Sequence, residues 1–308
     1  MKAVIEAKRL TRKFGNLVAV DHVEFWVYQG EIFGFLGPNG AGKTTTVRML
    51  TGVIDPTEGT ATIQGHDIRK EPLLSRAHVA VVPEEANVYA DLSVWQNLML
   101  MAELYGVARR QRLQEADLLL DALGLSDRKK QKARALSKGL RQRLMLCAAL
   151  VTGPEVLFLD EPTSGLDVQS ARLIRQIVSD LNRSGLTVFL TTHNMNEADE
   201  MCSRVAIIDQ GRIAAIDTPE KLRSAISSRQ YVEVRFAGAA PETNELVSLG
   251  GVSQVDGQDR TFRLYTRLPG QVLTEVVRLA DKEGLEITHL SNRQPSLDDV
   301  FLYFTSER

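Results

Sequence analysis

Gly37-Pro38-Asn39-Gly40-Ala41-Gly42-Lys43-Thr44 is the run on which the reading of this chain turns. It fits the pattern G-x-x-x-x-G-K-[ST], a P-loop, and it stands in the setting that gives the pattern meaning. Before it, Glu31 to Leu36 is a short apolar run that suits a strand buried on both faces of a sheet. After it, Gly42 to about Leu50 reads as a helix. Phosphate oxygens need many donors at close range. Glycines let the backbone wrap closely enough for N–H groups to point inward, and the helix N-terminus adds its positive end. Lys43 is expected to reach the β- and γ-phosphates of a nucleotide and the Thr44 hydroxyl to bind Mg2+, with Thr45 next to it in the first helical turn.

A second stretch answers the first. In Val156-Leu157-Phe158-Leu159-Asp160-Glu161, four apolar residues make a buried strand and two carboxylates emerge at its end. Alone, such an ending means only a solvated strand terminus. Paired with a P-loop, it reads as a site, with Asp160 holding Mg2+ and Glu161 polarising an attacking water as general base.

Working outward, Val4 to Leu10 and Val23 to Val27 read as strands flanking a turn at Gly15-Asn16. Thr60 to Ile63 and His78 to Val82 read as further short strands, with Pro56-Thr57-Glu58-Gly59 as a turn. From Ser93 to about Leu150 the texture becomes helical, with Leu92, Trp95, Leu98, Met99 and Ala102 at helical spacing. Strand and helix alternate again from Val156, through Thr187 to Thr191 and Val205 to Ile208, which implies a largely parallel sheet with helices on both faces. Arg212 to Ile216 closes that unit. From about Gln230 a second unit follows in the order β-α-β-β-α-β of a ferredoxin-like fold, with a hairpin turning at Gly257-Gln258 and a helical tail from Ser296 to Phe304. The expected domains are 1–220, with a helical subdomain at about 87–150, and 221–308.

Composition excludes several classes. The 308 residues are 44% hydrophobic and 25% charged, an ordinary globular balance. A formal net charge of −2 gives no overall push toward nucleic acid, and the basic run Arg128-Lys129-Lys130-Gln131-Lys132 reads as a solvated connection. Two cysteines, Cys147 and Cys202, lie in apolar stretches and read as reduced core thiols. No apolar run approaches the roughly 18–20 residues that span a bilayer. Any work at a membrane therefore needs a second polypeptide.

Further motifs fall in order along the chain: Leu136-Ser137-Lys138-Gly139-Leu140-Arg141-Gln142 before a helix, Ser164-Gly165-Leu166-Asp167 after the second carboxylate, and Thr191-Thr192-His193 at a strand end. With these the first two-thirds of the chain resembles an ABC-type ATPase cassette. The resemblance implies an α/β fold: a mixed-sheet core, an antiparallel β subdomain and a helical subdomain, plus the small α+β ferredoxin-like C-terminal domain. It implies a mechanism in which two cassettes sandwich ATP, the P-loop of one facing the signature of the other. Ser137 and the Gly139 N–H would then meet the γ-phosphate in trans, His193 would contact the same phosphate, Asp167 would help couple the two sites, and Phe14 would stack on adenine, although Phe14 also reads as a core aromatic. Lys43, Glu161 and His193 become the catalytic residues. The nucleotide lies on Phe14, Gly37 to Thr45, Ser137, Gly139 and Asp167, and the Mg2+ on Thr44, Glu84 and Asp160.

Two departures stand out. Glu84, after Val81-Val82-Pro83, occupies the place of the family's usual glutamine, and the signature reads LSKGL instead of LSGGQ, so that Lys138 adds a cation expected near the trans phosphate. The closing stretch Pro295 to Leu302 resembles the tail of ATP-binding subunits from drug, sodium or polysaccharide exporters. The implied function is ATP hydrolysis powering an ABC transporter, in the direction of export. The implied partners are transmembrane permease subunits and a second ATP-binding subunit, identical or homologous, at the cytoplasmic face of the membrane. Two other readings are a soluble non-transport ABC ATPase and a cassette that binds ATP with little turnover. Spacing speaks against the first: only about fifty residues separate Glu84 from Leu136, too few for a coiled-coil insertion. Retention of Lys43, Asp160, Glu161 and His193 speaks against the second.

Overall fold

Contacts divide the chain into two units, Met1–Thr218 and Pro219–Arg308, in a computed structural model that describes residues 2–226 and 230–306. The first unit opens with β1 (Ala3–Phe14) and β2 (Leu17–Tyr28), paired antiparallel across the Gly15-Asn16 turn. Both strands run well past the stretches legible from alternation. Register shifts break the pairing between Ala7 and Arg12, and Arg9 and His22 take positive φ, so the alternation of buried and exposed residues is interrupted while the ladder continues.

Next come β3 (Ile32–Leu36), buried at all five positions, and α1 (Lys43–Leu50). Strand β4 (Glu58–Ile63) adds to β1, and the two-residue β5 (His66–Asp67) adds to β4. Helix α2 (Pro72–Ala77) leads to β6 (Val79–Val82). The sequence reading has neither β5 nor α2: the one is too short to show a period, and the other leaves Leu73 and Leu74 exposed, so no apolar face marks it. The helical stretch contains α3 (Val94–Leu104), α4 (Arg109–Ala122) and α5 (Lys138–Leu150). Ser93 and Gln96 form a reciprocal capping box that starts α3. In the basic run, Lys129 pairs with Asp117 and covers the Trp95 ring at 3.7 Å. Alternation then resumes through β7 (Val156–Asp160), α6 (Val168–Arg183), β8 (Thr187–Thr192), α7 (Met195–Met201), β9 (Arg204–Asp209) and β10 (Arg212–Asp217).

Among the described residues these strands make a six-stranded sheet in the order β10-β9-β3-β8-β7-β6, parallel throughout except for β10 against β9. A four-stranded antiparallel sheet, β2-β1-β4-β5, packs with it. Phe189 on β8 joins the two layers, with its ring centroid 5.3–5.9 Å from those of Phe25, Phe33, Phe35 and Phe158. Tilted ring pairs of this kind add about 0.5–1.5 kcal/mol each beyond burial.

The second unit starts with α8 (Pro219–Ala225). It continues with β11 (Tyr231–Ala237), α9 (Thr243–Val247), β12 (Val252–Gln258), β13 (Thr261–Thr266), α10 (Pro269–Glu283), β14 (Glu286–Arg293) and α11 (Leu297–Ser306). Its sheet is antiparallel in the order β12-β13-β11-β14, the ferredoxin-like arrangement. Val232, Val234 and Phe236 face Val272 and Val276 of α10 in one core. The hairpin turns at Asp259-Arg260, not at Gly257-Gln258 as the sequence suggests. Gly257 lies inside β12 because the Phe262 ring crosses it, and a Cβ there would stand 2.5 Å from that ring. Asp259 supplies the turn's positive φ instead.

Both thiols are free and buried, and burial pushes the Cys147 thiol up to about 12. At pH 8 the folded chain is therefore expected to resist a thiol reagent that reacts with both cysteines after unfolding. Phe189→Ala is expected to destabilise the first unit by about 3–5 kcal/mol, read as a lowered urea midpoint.

Candidate active site

Strand β8 lies between β3 and β7, and its register sets Thr192 beside Leu36 and Thr191 beside Asp160. The P-loop, the two carboxylates and His193 thus leave one edge of the sheet together. Ligands in parallel α/β sheets bind at such carboxyl ends.

The loop's backbone can be drawn this tightly only with glycine. A Cβ at Gly37 would fall 2.2 Å from the Ile208 carbonyl oxygen, and one at Gly42 would fall 2.6 Å from that of Ala19. Gly42 also takes φ 106°, which strains any L side chain. It caps α1 without a side-chain bond, and the first bond of the turn runs from Thr46 N–H to the Gly42 carbonyl at 2.9 Å. By helix geometry the N–H groups of Lys43, Thr44 and Thr45 are left for an anion. Lys43 is 5% exposed and is held in the loop, its Nζ donating to the carbonyls of Gly37 at 2.7 Å and Pro38 at 3.0 Å.

Glu161 sits opposite. It is buried, and its backbone takes φ 49°, a left-handed conformation costing on the order of 1–2 kcal/mol for a residue other than glycine. Its N–H bonds both the carbonyl and the hydroxyl of Thr191 at 3.1 Å, which holds it there. One carboxylate oxygen, Oε2, meets His193 Nδ1 at 2.8 Å. The other, Oε1, lies 3.1 Å from Lys43 Nζ, an ion contact without hydrogen-bond alignment. With Glu161 ionised, His193 Nδ1 carries the proton of their bond and Nε2 remains for another partner. The Thr191 hydroxyl, having received that N–H, donates in turn to Asp160 Oδ1.

A second group gathers on the loop that follows. Ser164 Oγ donates to Glu84 at 3.3 Å, and Lys138 Nζ donates to the Ser164 carbonyl at 2.7 Å. The Lys138 cation, on the first residue of α5, is thus directed at the loop of its own chain. Ser137 caps that helix, its Oγ accepting from Leu140 N–H at 3.3 Å. Gly139 packs on Ser170, whose Oγ would lie 2.7 Å from a Cβ. Asp167 caps α6, and the backbone N–H and hydroxyl of Ser170 hold its carboxyl below the usual range. Phe14 is 46% exposed, with the Arg12 guanidinium 4.5 Å above its ring, so it is not a core aromatic. Sequence reasoning missed the role of Thr191, and it missed Thr163 and Glu197 altogether. The available signal for Thr191 was a hydroxyl directly following the apolar run Val188 to Leu190.

Mg2+ fits the donor set in one way. Among the described residues no group of three or more His, Cys, Asp or Glu could hold a metal alone. Thr44, Asp160 and Glu84 offer hard oxygens, and Mg2+ is ordinarily held by one or two carboxylates together with substrate phosphates.

Comparison with known proteins agrees with this geometry. The family model described as "ABC transporter" matches residues 20–164, and that described as "ATP-binding protein DrrA1-3-like, C-terminal domain" matches residues 218–305. The daunorubicin resistance ATP-binding protein DrrA3 of Streptomyces coeruleorubidus is 36% identical, covering 96% of this chain and 94% of its own. The Nod factor export ATP-binding protein I of Cupriavidus metallidurans is 36% identical over 99% of this chain and 98% of its own. A solved structure of an ATP-binding subunit of an ABC transporter, 28% identical, superposes with a TM-score of 0.66, covering 72% of this chain and 93% of that one.

Gly42→Ala is expected to weaken nucleotide binding about tenfold, the equivalent of roughly 1–2 kcal/mol of left-handed strain. Isothermal titration checks this, and an unchanged Kd would show that the loop tolerates a Cβ.

Proposed function

The chain belongs to the ABC transporter family of ATP-binding subunits, and from that premise we propose that it powers an exporter through Mg2+-dependent ATP hydrolysis between two paired cassettes. The observation that carries the site reading is the buried Glu161 carboxylate held between Lys43 and His193. Phosphate entering the loop offers Lys43 oxygens that replace Glu161, and this frees one carboxylate oxygen to polarise water. His193 Nε2 turns to the terminal phosphate. Thr44, Asp160 and Glu84 would hold Mg2+, which neutralises phosphate charge when bound. Ser137 and the Gly139 N–H face the phosphates of the partner cassette, and Asp167 lies at the seam between the two sites.

The partner cassette is a second copy of this chain; a homologous chain would use the same contacts. Export rests on the relatives, named for drug resistance and for Nod factor export. No helix among the described residues is long and apolar enough to cross a membrane. The relatives' names as export and resistance ATP-binding proteins support a cargo path in permease subunits, with this chain at the cytoplasmic face. The docking surface for them is the loop tip at Asn87, Val88 and Tyr89. Tyr89 is half exposed while buried Asn97 clamps its backbone, accepting from its N–H at 2.8 Å and donating to its carbonyl at 3.0 Å. Leu98 is fully buried and serves the subdomain core. For the C-terminal domain, residues 221–308, we propose a regulatory or dimer-stabilising role. Unchanged ATPase activity and dimerisation after removal of residues 225–308 would remove that idea.

Glu161→Gln is expected to lower kcat by about 10²–10⁴ while leaving ATP binding intact. It should also accumulate an ATP-dependent dimer, visible by light scattering with Mg-ATP. A variant turning over at the wild-type rate would overturn the assignment of Glu161 as base. Tyr89→Ala should impair assembly with the permease without changing ATP affinity.

A further inference from the structure

Glu161 and His193 are joined by more than their own contact. Thr163, two residues after the base, donates its hydroxyl to Glu197 Oε1 at 2.8 Å, and Glu197 lies four residues after the histidine on α7. The same two segments are thus bridged by two parallel rungs, Glu161–His193 and Thr163–Glu197, each 2.8 Å long. The rungs differ in exposure. The His193 side chain is 51% exposed, whereas Glu197 is 1% exposed as a residue.

Burial of Glu197 is unusual in what it leaves unpaid. Its Oε2 is buried with no hydrogen-bond partner among the described residues. Burial pushes the carboxyl up, the Thr192 and Thr163 hydroxyls and Arg175 pull it down, and the Glu161 charge pushes it up again. A packed apolar side chain would join α7 to the loop at lower cost, since a half-satisfied buried carboxylate is destabilising. What an apolar side chain cannot do is accept from Thr163 at a defined distance.

We infer that Glu197 is a positioning residue, whose bond to Thr163 sets where His193 stands relative to Glu161. When His193 leaves Glu161 for the terminal phosphate, the exposed rung opens and the buried rung stays. Helix α7 then keeps its register against the loop, and the histidine moves about a fixed base. Without the buried rung the imidazole would reach the phosphate from a wider range of positions, which costs rate and not affinity.

This inference rests on Glu161 and His193 being the catalytic pair, so Glu161→Gln and His193→Ala are measured beside the test variants in the full-length chain. Thr163→Val keeps the shape and removes the donor. It is expected to lower kcat about ten- to hundredfold with the KM for ATP and the Kd from titration unchanged. Glu197→Gln keeps an acceptor oxygen and should return kcat to within about threefold of wild type, whereas Glu197→Ala should match Thr163→Val. The double variant Thr163→Val/Glu197→Ala should cost no more than the larger single loss, because both remove one bond. Wild-type kcat in Thr163→Val, or a loss confined to KM, would overturn the inference while the pair stands. Glu161→Gln and His193→Ala at wild-type rates would instead bring down the reading beneath it.

Discussion

Strand β8 must hydrogen-bond to β3 on one side and β7 on the other while all three are buried. Buried backbone groups without partners are too costly to leave, so the register between these strands is not free to slip. That register lines up Leu36 with Thr192 and Asp160 with Thr191. Everything chemical in the first unit is appended to those strand ends. The Phe189 cluster, reaching from β8 to Phe25 in the other sheet, holds the ladder from behind. A shift of one residue in β8 would turn Phe189 away from the core and carry His193 away from Glu161 at the same time. Core packing and active-site geometry are therefore a single constraint.

On that frame the Lys43–Glu161 pair resolves an electrostatic problem. Each side chain is nearly inaccessible, and a lone charge in such a place would be strongly destabilising. Lys43 satisfies its ammonium with two loop carbonyls and a carboxylate, all oxygens that phosphate can replace. Glu161 is left with His193. A phosphate in the loop would exchange one set of oxygens for another around the same cation, which is already removed from water. The left-handed backbone at Glu161 belongs to the same arrangement. It is held by two bonds to Thr191 and aims the carboxylate back toward the loop.

How much of this was legible in the sequence depended on whether a residue acts through a local pattern or across the fold. Gly37 to Thr44 and the strand ending in Asp160-Glu161 could be read because periodicity and a fixed spacing carry them. The ferredoxin-like order of the second unit followed from strands and helices that each keep a clear period. Gly257 misled because a glycine signals a turn locally, whereas here it makes room for Phe262 from the neighbouring strand. Asn97, Thr163 and Glu197 were invisible for the same reason. The loop contacts they make, to Tyr89 and between Thr163 and Glu197, span eight and thirty-four residues, and nothing in the flanking sequence marks a buried polar side chain that holds a loop.

The two departures from the family pattern look independent in the sequence and meet in the fold. Glu84 accepts from the hydroxyl of Ser164, and Lys138 donates to that same residue's carbonyl. A glutamate in place of glutamine adds a negative charge to this loop, and a lysine in place of glycine adds a positive one. Their charges offset around a single residue, three positions after Glu161. A glutamine could have accepted from Ser164 equally well, so the acidic change costs no hydrogen bond. Its charge is what needs balancing, and Lys138 supplies the balance from the signature helix. Lys138, the third position of the signature, is thereby held on the chain's own loop. The loop from Thr163 to Asp167 is consequently gripped by α7 through Glu197, by α5 through Lys138 and by the segment before α3 through Glu84. A displacement of any of these three segments must pass through residues that directly follow Glu161, so a change at the signature and a change at the proposed permease contact reach the same buried carboxylate by paths of only a few bonds.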